Sequence, residues 1–113
     1  MRVAQIDEII GFALEELLAG DDHRRRALVR RLCRRWPTAP ALSIVFALTS
    51  VASRIEDTYD AGSETAALAG FAYRLASLLA ADVYAVESIG QVPAQADDLL
   101  HFWRRVDPYF LDL

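Results

Sequence analysis

The sequence predicts an all-α fold: one domain over residues 1–113, five helices, and a central long antiparallel hairpin made by the third and fourth. Three observations lead there. Apolar residues recur every three or four positions along most of the chain, and no stretch alternates apolar with polar side chains as a half-buried strand would. Glycines and prolines fall between the periodic segments. Gly20, Gly62 and Gly90 each follow one, where helix C-caps belong, and Pro37, Pro40, Pro93 and Pro108 fall at junctions or in a first turn. Finally, 113 residues suit one domain of ordinary size, and 54% hydrophobic residues supply a core. The chain shows no internal repeat and no low-complexity linker.

The first helix, 3–19, places Val3, Ile6, Ile10, Ala13, Leu14 and Leu17 on one stripe. The second, 22–35, contains "HRRRALVRRLCRRW", with seven arginines in fourteen positions. On a helical wheel Leu28, Val29, Leu32, Cys33 and Trp36 share one arc and the arginines take the rest, with Arg25 alone intruding on the apolar side. The third helix, 39–60, opens at Thr38, a candidate N-cap, with Pro40 in its first turn. Ile44, Leu48, Val51, Ile55 and Tyr59 line one face. Leu42 and Phe46 fall opposite, which predicts a helix covered on two sides near its start.

The fourth helix, 64–88, is capped by Ser63 and has Glu64 in its first turn. Leu68, Phe71, Leu75, Leu78, Leu79, Val83 and Val86 make one apolar face. Ala69, Ala76 and Ala80 form a second, small-residue ridge, with Tyr73 and Tyr84 beside it. Two apolar faces predict a helix buried from both sides. The fifth helix, 94–106, groups Leu99, Phe102, Trp103 and Val106, and Pro108 ends it at Asp107. The apolar tail Tyr109, Phe110, Leu111 and Leu113 is expected to dock on the body or on a partner chain.

Charge frames the functional question. The chain is acidic, with formal net charge −4, yet its second helix is intensely basic. Residues 1–22 carry −5, residues 23–36 carry +7 and residues 37–113 carry −6. The basic segment is therefore flanked by the acids able to neutralise it, Asp7, Glu8, Glu15 and Glu16 among them. All twelve basic residues are arginine, so arginine here is partly a bias of the whole chain rather than a demand for bidentate contacts. The candidate anion- or partner-binding residues are Arg24, Arg25, Arg26, Arg30, Arg31, Arg34 and Arg35. Internal charge balance is the leading account of them. An acidic protein partner and a nucleic acid or other polyanion are the alternatives, and nucleic acid is disfavoured by pI ≈ 5.0 and by a basic face without Asn or Gln to read adenine. Arg24, Arg25 and Arg26 stand at the N-terminal end of the predicted helix, where its dipole disfavours cations by roughly 0.3–1 kcal/mol each.

Chemistry-bearing constellations are scarce. His23 and His101 have no metal-ligand spacing, and one cysteine, Cys33, rules out an intrachain disulfide framework. There is no glycine-rich phosphate loop and no G-x-S-x-G elbow. The magnesium pattern of all-α nucleotide pyrophosphohydrolases, E-E-x-x-E followed by E-x-x-D, fails here. Glu56, Asp57 and Asp60 share one turn, but Asp82 is followed by Glu87 at spacing five and stands about 28 Å along the returning helix. Asp82 is expected instead to be held by an arginine, since an unpaired buried charge is costly. No catalytic residue, cofactor or metal is assigned.

The sequence reading is therefore a non-catalytic, cytoplasmic, helical interaction or oligomerisation module. No export signal is read at "MRVAQIDEII", and the two most apolar stretches, 39–53 and 65–81, fall short of a membrane span of roughly 20 residues. A homodimer is expected from the apolar excess (mean hydropathy +0.18) in so small a domain. Its candidate interface residues are Ala69, Tyr73, Ala76, Ala80, Tyr84, Tyr109 and Phe110.

Overall fold

A computed structural model describes the backbone of residues 3–112 and the side chains of residues 5–112. The expected roles of the Val3 and Leu113 side chains lie outside the described residues. The chain is all-α, in the order α1 (Val3–Leu18), α2 (Asp22–Arg26), α3 (Leu28–Arg35), α4 (Ala41–Thr58), α5 (Glu64–Ser88), α6 (Ala96–Arg105) and α7 (Tyr109–Asp112). Among the described residues the sole extended pairing is an isolated antiparallel bridge between Pro40 and Gln95.

Among the described residues seven helices stand where five are expected, and two places account for the difference. The arginine segment breaks at Ala27, whose φ of −82° and ψ of −4° cap α2 and start α3. The tail after Pro108 winds into a short helix of its own, α7. The glycine signals hold. Gly20, Gly62 and Gly90 adopt φ of +80°, +88° and +107°, a region that disfavours any Cβ. Asp21 caps α2, accepting from the His23 and Arg24 amides, and Ser63 caps α5, accepting from the Ala66 amide.

The start of α4 differs from expectation. Thr38 caps nothing; Pro40 itself occupies the N-cap, and α4 begins at Ala41. The segment before it is held by backbone bonds to the start of α6. The Ala41 amide donates to Ala94 at 2.8 Å, Ala96 donates to Ala39 at 2.9 Å and Asp97 donates to Pro37 at 2.8 Å. These bonds satisfy amides that a side-chain cap would otherwise serve. They join two chain segments more than fifty residues apart, which local sequence cannot announce.

The core sits where α4 meets α1, α5 and α6. Helix α4 packs most extensively on α5 and also touches α1 and α6, while α3 packs on α6, α1 and α7. Ile44, Ala47, Leu48, Val51, Ala52 and Ile55 of α4 are buried against Ile9, Ala13 and Leu17 of α1 and Ala72, Leu75, Leu79 and Val83 of α5. The fully buried Trp103 of α6 meets Phe110 of α7 with 5.0 Å between ring centres and the rings tilted by 48°.

Helix α5 corrects an expectation. It is not buried on two faces: 39% of its most apolar 18-residue window is covered. Its Leu75, Leu79, Val83 and Val86 face inward with Ala69, Ala72 and Ala76, while Tyr73, Ser77, Ala80, Ala81 and Tyr84 remain outside, and so does Leu78, which was expected on the apolar face. Ala69 and Ala76 therefore complete the same face as the leucines, because alanine is small enough for α4 to approach closely there. By length and composition α5 could cross a membrane; in this fold it is a core helix with one open side.

Candidate interaction surface

The break at Ala27 changes the meaning of the arginine trio. Arg24, Arg25 and Arg26 lie in the last turn of α2, not in the first turn of a long helix. With five residues, α2 is little more than one turn, and the trio stays beside its capped N-terminus; Asp21 accepts from the His23 and Arg24 amides, Glu16 pairs with Arg24 and Asp22 pairs with Arg26.

Most of these arginines are tied into the fold. Glu16, buried on α1, receives Arg24 Nε at 2.7 Å and Arg31 Nη1 at 2.9 Å on the same oxygen. The hydrogen bond from Arg24 holds the Glu16 carboxyl below the usual carboxylate range; burial opposes this and the Arg31 charge adds to it. Arg25 Nε donates to the Leu17 carbonyl at 2.9 Å, satisfying an end of α1, and Arg26 pairs with Asp22 at 2.7 Å. Arg30 Nη1 donates to the Leu111 carbonyl at 3.2 Å and so holds the tail. Arg31 and Arg35 also lie over Phe12, at 5.4 and 5.2 Å from its ring centre, and Arg35 lies 5.0 Å from the Trp36 ring. Arg34 is exposed and has no ion-pair or hydrogen-bond partner among the described residues. With Phe12, Arg31 and Arg35 it lines a shallow depression of about 410 Å³.

Cys33 is fully buried, and burial pushes its thiol up to about 12. Among the described residues no group of three or more His, Cys, Asp or Glu side chains is placed to hold a metal ion. His101 lies 3.9 Å from Asp97 on an exposed turn, and His23 is exposed. Glu56 accepts a hydrogen bond from the Tyr73 hydroxyl at 2.9 Å. Asp82 is not held by an arginine. It accepts the Trp103 indole N–H at 2.9 Å, because α6 rather than any arginine packs beside it. Burial raises its pKa, the indole bond lowers it, and nearby Asp107 raises it again.

A different surface stands out. On α4, Leu42 and Phe46 are 65% and 56% exposed, and on α5, Tyr84 is 76% exposed. The expectation that α4 is covered on two sides at its start is thus overturned: among the described residues no helix reaches that side. Leu42 and Phe46 lie one turn apart, opposite the buried stripe, and that spacing was the signal in the sequence. Of the expected interface residues, Ala69, Ala76 and Phe110 are buried within the chain, whereas Tyr73, Ala80, Tyr84 and Tyr109 are exposed. Elsewhere the exposed Ile89 and Val106 line a cleft of about 340 Å³ with His101 and Arg105.

No protein-family model, curated protein or solved structure matches the chain.

Proposed function

We propose that this protein is a non-catalytic helical interaction module that works through the outer face of α4 and α5. One observation carries the reading: Leu42, Phe46 and Tyr84 project from the two longest helices and are covered by nothing in the chain. A large apolar surface on a small domain marks a contact site. The reading treats α4 and α5 as an antiparallel hairpin around which the other helices gather. The five residues between them, 59–63, and the reach of Tyr73 back to Glu56 support it. Counting turns from that bond, Ser53 falls beside Ser77, Thr49 beside Ala80 and Phe46 beside Tyr84. The exposed apolar residues of the two helices thereby join in one patch. The cytoplasmic setting proposed for it accords with a lone, free Cys33.

The test uses the full chain as bait beside Phe46→Glu, Tyr84→Glu and the distant control Val106→Glu. A protein retained by the wild-type chain and by Val106→Glu, and lost with Phe46→Glu and Tyr84→Glu, is the expected result. Identical sets for all four baits would remove the reading.

A second reading rests on Arg34 and Arg35, which meet no carboxylate: a polyanion, whether nucleic acid or an acidic peptide, bound beside Phe12. Binding to single- or double-stranded nucleic acid that weakens steeply with salt, and falls in Arg34→Glu, would favour it. An absence of binding at low salt would eliminate it.

A further inference from the structure

We propose that the groove between α1 and α3 docks a short peptide segment of a partner protein, with carboxylates against α3, an apolar side chain over Phe12 and a lysine or arginine against α1. This rests on the second reading above, which makes Arg34 and Arg35 an anion site, and it commits that site to a peptide. It is independent of the α4–α5 face.

Three observations carry it. The first is the arginine wall. Arg31, Arg34 and Arg35 fall within about 100° of arc and about 6 Å of axis on α3. Arg31 spends Nη1 on Glu16, while Arg34 and Arg35 have no carboxylate partner among the described residues. Two of the three guanidinium groups are held in place. Arg31 and Arg35 lie 5.4 and 5.2 Å from the Phe12 ring centre, and Arg35 lies 5.0 Å from that of Trp36. A guanidinium stacked on a ring keeps N–H donors for a carboxylate and has less freedom to lose on binding.

The second is the opposite wall. The depression of about 410 Å³ at these arginines shares Phe12 and Arg35 with a hollow of about 590 Å³, whose α1 side includes Glu8, Gly11 and Glu15. Glu8 and Glu15 are exposed and form no ion pair among the described residues. The groove is positive along α3, negative along α1 and aromatic between them. That bipolar pattern selects the ligand class. A nucleic-acid strand is anionic throughout, so crossing the groove sets its phosphates against Glu8 and Glu15. A peptide can carry both signs of charge and match both walls.

The third is room. Gly11 lies in the middle of α1, where only proline is a poorer helix former. A Cβ there would meet nothing within 4 Å. Packing inside the chain therefore does not require this glycine, and its bare backbone leaves the floor of the groove open to an occupant.

The test is fluorescence anisotropy with the full chain at low salt and two labelled probes. One is a peptide with glutamates at one end, a tryptophan at its centre and lysines at the other; the second is single-stranded oligothymidylate. The peptide should bind, and salt should weaken it. Arg34→Glu should weaken it at least about tenfold, as loss of a charge-assisted contact does. Gly11→Leu fills the hollow with a better helix former and should also abolish binding. Glu8→Lys should weaken the peptide and strengthen oligothymidylate. Arg74→Glu, on α5, makes the same change in net charge as Arg34→Glu and should leave the peptide unaffected. Circular dichroism checks that each variant keeps its helices. Equal weakening by Arg74→Glu overturns a specific site. Peptide binding untouched by Gly11→Leu or by Glu8→Lys overturns its placement across the groove. Oligothymidylate bound more tightly than the peptide, and lost in Arg34→Glu, overturns the peptide and leaves the arginines as an anion site. Neither probe binding at low salt overturns both the proposal and the reading beneath it.

Discussion

Arg31 Nη1 lies 2.9 Å from Glu16 Oε2 and so ties α3 to α1, while Arg24 reaches the same oxygen from α2 at 2.7 Å. One buried carboxylate therefore gathers three helices. Glu16→Ala is expected to cost about 1–3 kcal/mol in urea unfolding, the lower end applying because both arginines keep solvent access once released. The pH dependence has a definite sign. The folded state lowers the Glu16 pKa, so its contribution is present above the ordinary carboxylate pKa and is lost as pH falls through the lowered value. The stability gap between wild type and Glu16→Gln should hold at neutral pH and close in acid.

Asp82 behaves in the opposite sense. Its pKa is raised in the fold, chiefly by burial, so the charged form works against folding. That penalty develops as pH rises from the unfolded pKa to the folded one. Asp82→Asn keeps an acceptor for the Trp103 indole and removes the charge, and should match or exceed wild-type stability at neutral pH. Asp82→Leu strands a fully buried N–H and should lose about 1–3 kcal/mol in the same denaturation measurement.

Phe110 anchors the tail against Trp103, and Arg30 holds the Leu111 carbonyl. Phe110→Ala should release α7 without unfolding the remainder, since the tail can detach instead of leaving a cavity. The cost should stay below the roughly 3–5 kcal/mol of a Phe truncation inside a core. Hydrogen exchange should rise at residues 109–112, and Trp103 fluorescence should shift, with α4 and α5 amides unchanged.

Cys33 is buried and its thiol is raised to about 12, so it is protonated at neutral pH and shielded. Alkylation by iodoacetamide should be slow and should track global unfolding, accelerating with denaturant as the unfolded fraction grows. Fast, denaturant-independent labelling in the native state would contradict this placement.

Helix class and most boundaries were legible in the sequence because local forces set them. Apolar spacing, the positive-φ glycines at 20, 62 and 90, and the Ser63 cap act within a few residues. The inward arc of Leu28, Val29, Leu32 and Cys33 was legible for the same reason. Excess positive charge in 23–36 beside acids in 1–22 announced internal pairing, although not that Glu16 would take two arginines on one oxygen.

The sequence by itself determined an all-α chain and most of the inward residues of its long helices. Tertiary structure alone decided the rest. It broke the arginine helix at Ala27 and paired Arg24 with the buried Glu16. It gave Asp82 an indole N–H instead of a guanidinium, and it held the start of α4 through backbone bonds to α6 instead of a Thr38 cap. It also left Leu42, Phe46 and Tyr84 uncovered. The physical reason is common to all four. Periodicity says which side of a helix is apolar, whereas only the path of distant segments says which apolar side is met, which carboxylate is reached and which face is left open.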